Sequence, residues 1–205
     1  MTQKMKKSFL PFILILALAS CQVIAKKMYG IKDPDVESKK TIHKKARKFG
    51  LDTSNIVTVN SKDFIRMLKG RGIPDAAIYD KSGKYIEYRQ TDTSCNAGLF
   101  AFIPALNLTS KYNQPDSANL DTQLQKFRDL NGNTLAPRQP ADFYLLIYWT
   151  VWTGKLNKDH VKTWEDLARN NKNCKIQVVK VNLDFQKYWD KDERDRIINA
   201  FAKKK

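Results

Sequence analysis

The chain has 205 residues, with 37 lysines and arginines against 21 aspartates and glutamates, and a formal net charge of +16. Its 42% hydrophobic content, with aromatics spread along the length, supports a packed core and excludes a disordered tail. Neither Cys-x-x-Cys nor a Cys/His cluster of metal-ligand spacing occurs among its three cysteines and two histidines, so no metal and no cofactor are expected.

Residues 1–20 open with Lys4, Lys6 and Lys7 and continue as an apolar run from Phe9 to Ala19. A bilayer span needs about 20 apolar residues; this shorter run has the flanks of a secretory h-region, with small residues at its end. Leu18-Ala19-Ser20-Cys21 resembles the lipobox of bacterial lipoproteins, in which the cysteine is acylated and becomes the new N-terminus. That resemblance implies a signal peptide at 1–20, lipidation of Cys21 and a tether over 21–26. An ordinary signal peptide cut after Ala25 is the competing reading. More than one acyl chain, at ~0.8 kcal/mol per buried methylene, makes an anchor stable. Gln22 after the cysteine, by resemblance to proteobacterial sorting rules, implies the outer membrane of the cell envelope. Losing residues 1–20 removes three lysines and no acid, so the formal charge falls from +16 to +13 over about 185 residues, enough for one large domain or two small ones.

Met28-Tyr29-Gly30-Ile31 reads as a brief extended piece. A helix is expected over 36–49, with Ile42, Ala46 and Phe49 on one face and Gly50 ending it. Ile56–Val59 reads as a buried strand and 62–69 as a short helix broken by Gly70 and Gly72. Ile73–Tyr79, a turn at Asp80–Gly83 and Tyr85–Tyr88 form a hairpin. Thr93 or Ser94 can cap a helix over 95–106. Residues 109–119 look like a linker, and 120–130 a helix stopped at Asn131-Gly132. Phe143–Val151 is near-continuously apolar, as in a strand covered on both faces. A helix over 157–170, a second central strand over 175–183 and a helix over 190–201 follow. Strands alternating with helices argue for an α/β fold with a mixed sheet.

Lys39, Lys40, Lys44, Lys45 and Lys48 read as a solvated helix face with no aromatic interleaving, so nucleic acid is not an expected partner. Anionic lipid or lipopolysaccharide phosphates are the alternative counter-charge, at roughly 1 kcal/mol per basic residue near a charged surface. His43 and His160, beside charged residues on helices, read as surface positions.

Leu145-Leu146-Ile147-Tyr148-Trp149-Thr150-Val151-Trp152-Thr153-Gly154-Lys155-Leu156 resembles the strand and redox turn of thioredoxin-like proteins, and Val178–Asp184 the following strand with its terminal Asp. Arg71-Gly72-Ile73-Pro74-Asp75, with the hairpin to Tyr88, resembles the family's cis-proline turn and β-hairpin. The helix from Cys95 resembles its last helix. The cis-proline segment comes before the redox-turn segment, the reverse of a simple domain. Two arrangements fit: tandem units at 27–110 and 132–205 joined by a linker and helix at 111–131, the second truncated, or a permuted chain whose halves complete one sheet. Tandem units are the favoured expectation, because two helix–strand pairs recur and bare sheet edges are a liability.

Where the family has its two cysteines this chain has Thr153 and Leu156. Thiol–disulfide exchange needs an attacking thiolate and a resolving thiol, so a non-catalytic binding or structural module is expected. A protein or peptide groove around Pro74, Trp152 and Thr153 is its expected site. Trp149 is read as core. The alternative is an enzyme or redox sensor using Cys95, which sits in the first turn of a helix, where the macrodipole favours a thiolate. Cys174, before a strand, is read as inert.

Overall fold

The computed structural model describes residues 26–89, 96–117 and 119–202. Its elements run β1 (Val36–Glu37), α1 (Lys39–Lys48), β2 (Ile56–Val59), α2 (Ser61–Leu68), β3 (Asp75–Asp80), β4 (Tyr85–Ile86), α3 (Leu99–Ala105), α4 (Leu120–Leu124) and β5 (Phe127–Arg128). Then come β6 (Phe143–Trp149), α5 (Thr163–Asn170), β7 (Ile176–Asn182), β8 (Phe185–Gln186) and α6 (Lys191–Ala202).

The main sheet has the order β4-β3-β6-β7-β2-β5. β6, β7 and β2 are mutually parallel, while β3 runs antiparallel to β6 and β5 antiparallel to β2. β1 and β8 form a small parallel pair beside it. The mixed α/β sheet flanked by helices expected from the alternation is therefore present. The favoured tandem arrangement is not how the strands pair. β2 and β3, both from 27–110, are separated in the sheet by β6 and β7 from 132–205. The two halves complete one sheet, and the stretch at 111–131, expected as a linker and helix, contributes its edge strand β5.

β6 shows why the sheet has three layers. All seven of its residues are buried, and the pleat sends alternate side chains to opposite faces. Phe143, Leu145, Ile147 and Trp149 pack with Ile42 of α1, Ile103 of α3 and Trp164 of α5. Tyr144, Leu146 and Tyr148 pack with Phe64 of α2, Leu120 of α4 and Ile197 of α6. At roughly 25 cal/mol per Å² of apolar surface removed from water, burial on both faces makes this strand the centre of the core.

Local signals account for most boundaries. Ser38 caps α1, its hydroxyl accepting from the Thr41 amide while Thr41 Oγ1 accepts from the Ser38 amide. Lys45, Arg47 and Lys48 complement the last turn, and Gly50 follows at φ +77°. The expected helix over 120–130 is shorter: it ends at Leu124, and Phe127–Arg128 pairs with β2 instead. The expected extended piece at 28–31 is likewise replaced, by a helical turn over 26–29. The helix expected over 157–170 begins as π-helical turns at Asn157–Lys162 and becomes α-helical only at Thr163.

Candidate binding cleft

Two loops meet at one end of the sheet. α2 stops at Leu68, Gly70 turns the chain at φ +75°, and a cis Ile73–Pro74 bond leads into β3. The first residue of β3, Asp75, lies opposite Tyr148 near the end of β6. Beyond β6 the chain makes a 3₁₀ turn at Val151–Thr153, reverses at Gly154 and enters the helical turns from Asn157. Between these loops and the start of α3 lies an open cleft of about 930 Å³. Pro74, Arg71, Arg89, Phe100, Leu156 and His160 are among the residues that line it.

A polar network fixes its inner wall. Arg71 Nη1 donates to Asp75 Oδ2 at 2.6 Å, and Arg89 Nη2 donates to Asp75 Oδ1 at 2.8 Å. Arg71 lies over the Tyr148 ring, 3.8 Å from its centroid, and Arg89 over Tyr88 at 4.6 Å. Asn96 donates through Nδ2 to the Pro74 carbonyl at 2.9 Å and accepts from Tyr88 Oη at 2.6 Å. Burial pushes the Tyr148 hydroxyl up to about 12 and, with the Glu87 carboxylate nearby, the Tyr85 hydroxyl to about 12, so both stay protonated at ordinary pH, and Tyr85 Oη donates to Glu87 Oε2 at 3.1 Å.

Of the three residues expected to form a groove, the cleft includes Pro74 but not Trp152 or Thr153. Thr153 is 2% exposed. Its hydroxyl donates to the Thr150 carbonyl at 2.9 Å, which also accepts from Asn157 Nδ2 at 2.8 Å. The side chain holds the turn and offers nothing to a ligand. The half-buried Trp152 accepts through its carbonyl from the Lys32 amide at 2.9 Å. The Tyr29 carbonyl accepts from the Lys155 amide at 2.7 Å. A strap at 26–32 thus covers the turn where the groove was expected, and the open side begins at Leu156.

His160, expected on the surface, is half-buried, its ring against Phe100 and Trp164 on the cleft wall. Cys21 and Cys95 lie outside the described residues. Cys174 is half-buried, its Sγ 3.3 Å from the Leu106 carbonyl, and burial pushes its thiol up. That is the direction of an unreactive cysteine. Trp149 is fully buried. Among the described residues no three His, Cys, Asp or Glu side chains are grouped to hold a metal ion, and no helix is long and apolar enough to cross a membrane.

No family model, curated protein or solved structure matches this chain. The cleft is therefore read from its own geometry. Sequence reasoning did not single out Arg71, Arg89 or Asn96. Arg71 directly precedes the Gly-Ile-Pro-Asp turn, which was a usable signal. Arg89 reaches Asp75 only through the β3–β4 pairing.

One buried acid supports the turn from below. Asp184 Oδ2 accepts from the Val151 amide at 2.7 Å and from Asn182 Nδ2 at 2.6 Å, while Oδ1 is buried without a partner. Burial, with a lesser push from the Glu37 carboxylate, raises its carboxyl from 3.8 to about 7. Between those values the folded protein holds a proton that the unfolded chain releases. Stability from this group is fully present below 3.8 and is lost as pH rises to about 7, by up to ~1.4 kcal/mol per pH unit. Asp184→Asn keeps an oxygen for Val151 but cannot titrate. Urea midpoints of Asp184→Asn should fall less than wild type between pH 4 and 7; parallel profiles would refute the assignment.

Proposed function

We propose that the protein is a lipid-anchored protein of the bacterial envelope with a permuted thioredoxin-like fold. It serves as a non-catalytic module that binds an extended protein segment in the cleft beside Pro74. The observation that carries this reading is the cis Ile73–Pro74 bond at the head of β3, with an open cleft between it and Leu156 in the turn after β6. The order β4-β3-β6-β7 also supports it, since it sets the hairpin after the cis-proline against the strand that leads into the redox-turn position. In thioredoxin-like proteins that junction receives extended substrates.

The chemistry of the turn supports binding over catalysis. Leu156 has no thiol to resolve a mixed disulfide, and the Thr153 hydroxyl is committed to the Thr150 carbonyl. A hydroxyl without an adjacent base is a weak nucleophile. Leu156 and Phe100 instead offer apolar surface beside fixed polar groups, the usual composition of a ligand site.

A photo-crosslinking side chain at Leu156 or Ala97, in cells making the full chain, is expected to capture a discrete partner. The same group at Lys40 on α1 should not. Equal capture from Lys40, or none from the two cleft positions, would overturn the reading. Fractionating the same cells tests the anchor: Cys21→Ser should move the protein to the soluble fraction, and persistence in the membrane counts against lipidation.

A further inference from the structure

We propose that the cleft selects an acidic segment, with the charges at its mouth attracting carboxylates and the Arg71–Asp75–Arg89 network fixing the wall they meet. This rests on the reading of the cleft as a site for an extended segment. Among the described residues its lining carries five cations, Arg66, Lys69, Arg71, Arg89 and Lys126, against two acids, Asp75 and Glu87.

The inner charges are held rather than free. Asp75, whose side chain is 7% exposed, bridges two guanidiniums that are each 24% exposed. Stacking on Tyr148 and Tyr88 and the bond from Arg71 Nε to the Met67 carbonyl fix both forks. Glu87 pairs with Arg89 at 3.8 Å, so Asp75 and Glu87 together balance the two guanidiniums and the inner wall is neutral in sum. A cation already immobilised loses little freedom on meeting an anion, and its hydrogen bonds to one are charge-assisted.

The excess lies outward. Arg66 is bridged to Asp63, but among the described residues Lys69 and Lys126 have no acid within 4 Å, and Lys126 Nζ reaches only Gln123 Oε1 at 3.3 Å. Lysines at the rim of a concave site raise the local concentration of anions and speed encounter more than they add contact energy. An acidic segment satisfies the free cations of the rim, whereas a basic one would bring like charges together there.

The test uses the full chain in a non-ionic detergent and fluorescein-labelled hexaglutamate and hexaglutamine, followed by anisotropy. Hexaglutamate should bind, more weakly as salt rises, and Lys69→Ala with Lys126→Ala should weaken it about tenfold. Lys39→Ala with Lys44→Ala removes the same charge from α1 and should change binding less than about twofold, because neither lysine lines the cleft and salt weakens attraction between exposed charges with distance. If the α1 pair matters equally, the attraction is to the whole basic surface and the proposal falls. If hexaglutamine binds as tightly as hexaglutamate, selection by charge falls while segment binding stands. If neither peptide binds, selection by charge falls, and crosslinking from Leu156 judges the segment reading separately.

Discussion

Glu165→Ala is expected to lower the unfolding free energy by about 3–5 kcal/mol, because it strands a buried ammonium. Glu165 on α5 and Lys180 on β7 are 3% and 2% exposed in their side chains, and Nζ lies 2.6 Å from Oε1. Glu165 Oε2 also accepts from the Asp52 amide at 3.2 Å. Lys180 sits across from Ile147 on one side and Ile56 on the other, while a small surface pocket reaches both partners, and water entering it would draw the loss toward the lower figure. The pair itself need not be a net gain. Desolvation of two charges consumes most of their attraction, so Glu165→Leu combined with Lys180→Met should come within about 1–2 kcal/mol of wild type. Urea unfolding at pH 7 of the wild type, Glu165→Ala, Glu165→Leu, Lys180→Met and the double variant measures the loss and closes the cycle. A single-variant loss below about 1 kcal/mol would mean that the site is wetter than its burial implies.

Gly154→Ala should be nearly as damaging, for a reason of backbone shape. Gly154 has φ 62° and ψ −129°, a region that non-glycine residues enter at a cost of about 1–3 kcal/mol. A Cβ there would stand 2.3 Å from the Tyr29 carbonyl oxygen and 2.6 Å from that of Gly30. Backbone cannot swing aside as a side-chain tip does. The strap at 26–32 must lift, losing the bonds from Lys155 to Tyr29 and from Lys32 to Trp152, each contributing roughly 1 kcal/mol. A fall in stability of about 2–5 kcal/mol and faster tryptic cleavage at Lys26, Lys27 and Lys32 are expected. Gly72→Ala is the control, since no atom lies within 4 Å of its added Cβ. Unchanged melting and unchanged cleavage in Gly154→Ala would show that the strap does not depend on this contact.

The central strand was legible because Phe143–Trp149 is apolar or aromatic at every position, as a strand buried on both faces requires, and is too short for a buried helix. The hairpin around Asp80–Gly83 and the glycine after α1 were legible for similarly local reasons. Sheet order was not. β2 finds β7 more than a hundred residues later in the chain, and β5 joins β2 at Thr58 and Arg128, pairings with no local mark. That is why 120–130 read as one helix and the halves as separate units. At the cleft, the absence of a thiol at Thr153 and Leu156 was plain in the sequence. The burial of Thr153 was not, since it depends on a strap contributed from 26–32, far away in sequence. Pro74 was legible from its turn, whereas the Arg89–Asp75 bond needed the register that sets Ile78 beside Ile86.

If Cys21 carries the proposed acyl anchor, the strap would make the chain's N-terminal side a leash. Its bond at Lys155 is one residue from Leu156 on the cleft wall. The five Cα–Cα steps from Cys21 to Lys26 reach roughly 17 Å when fully extended. An acyl anchor at Cys21 would hold the cleft in a shallow layer against its own leaflet, unable to survey the surrounding compartment. Ligands displayed in that layer would meet it at the raised effective concentration of a short tether, so a modest intrinsic affinity would suffice for them and fail for anything free in solution.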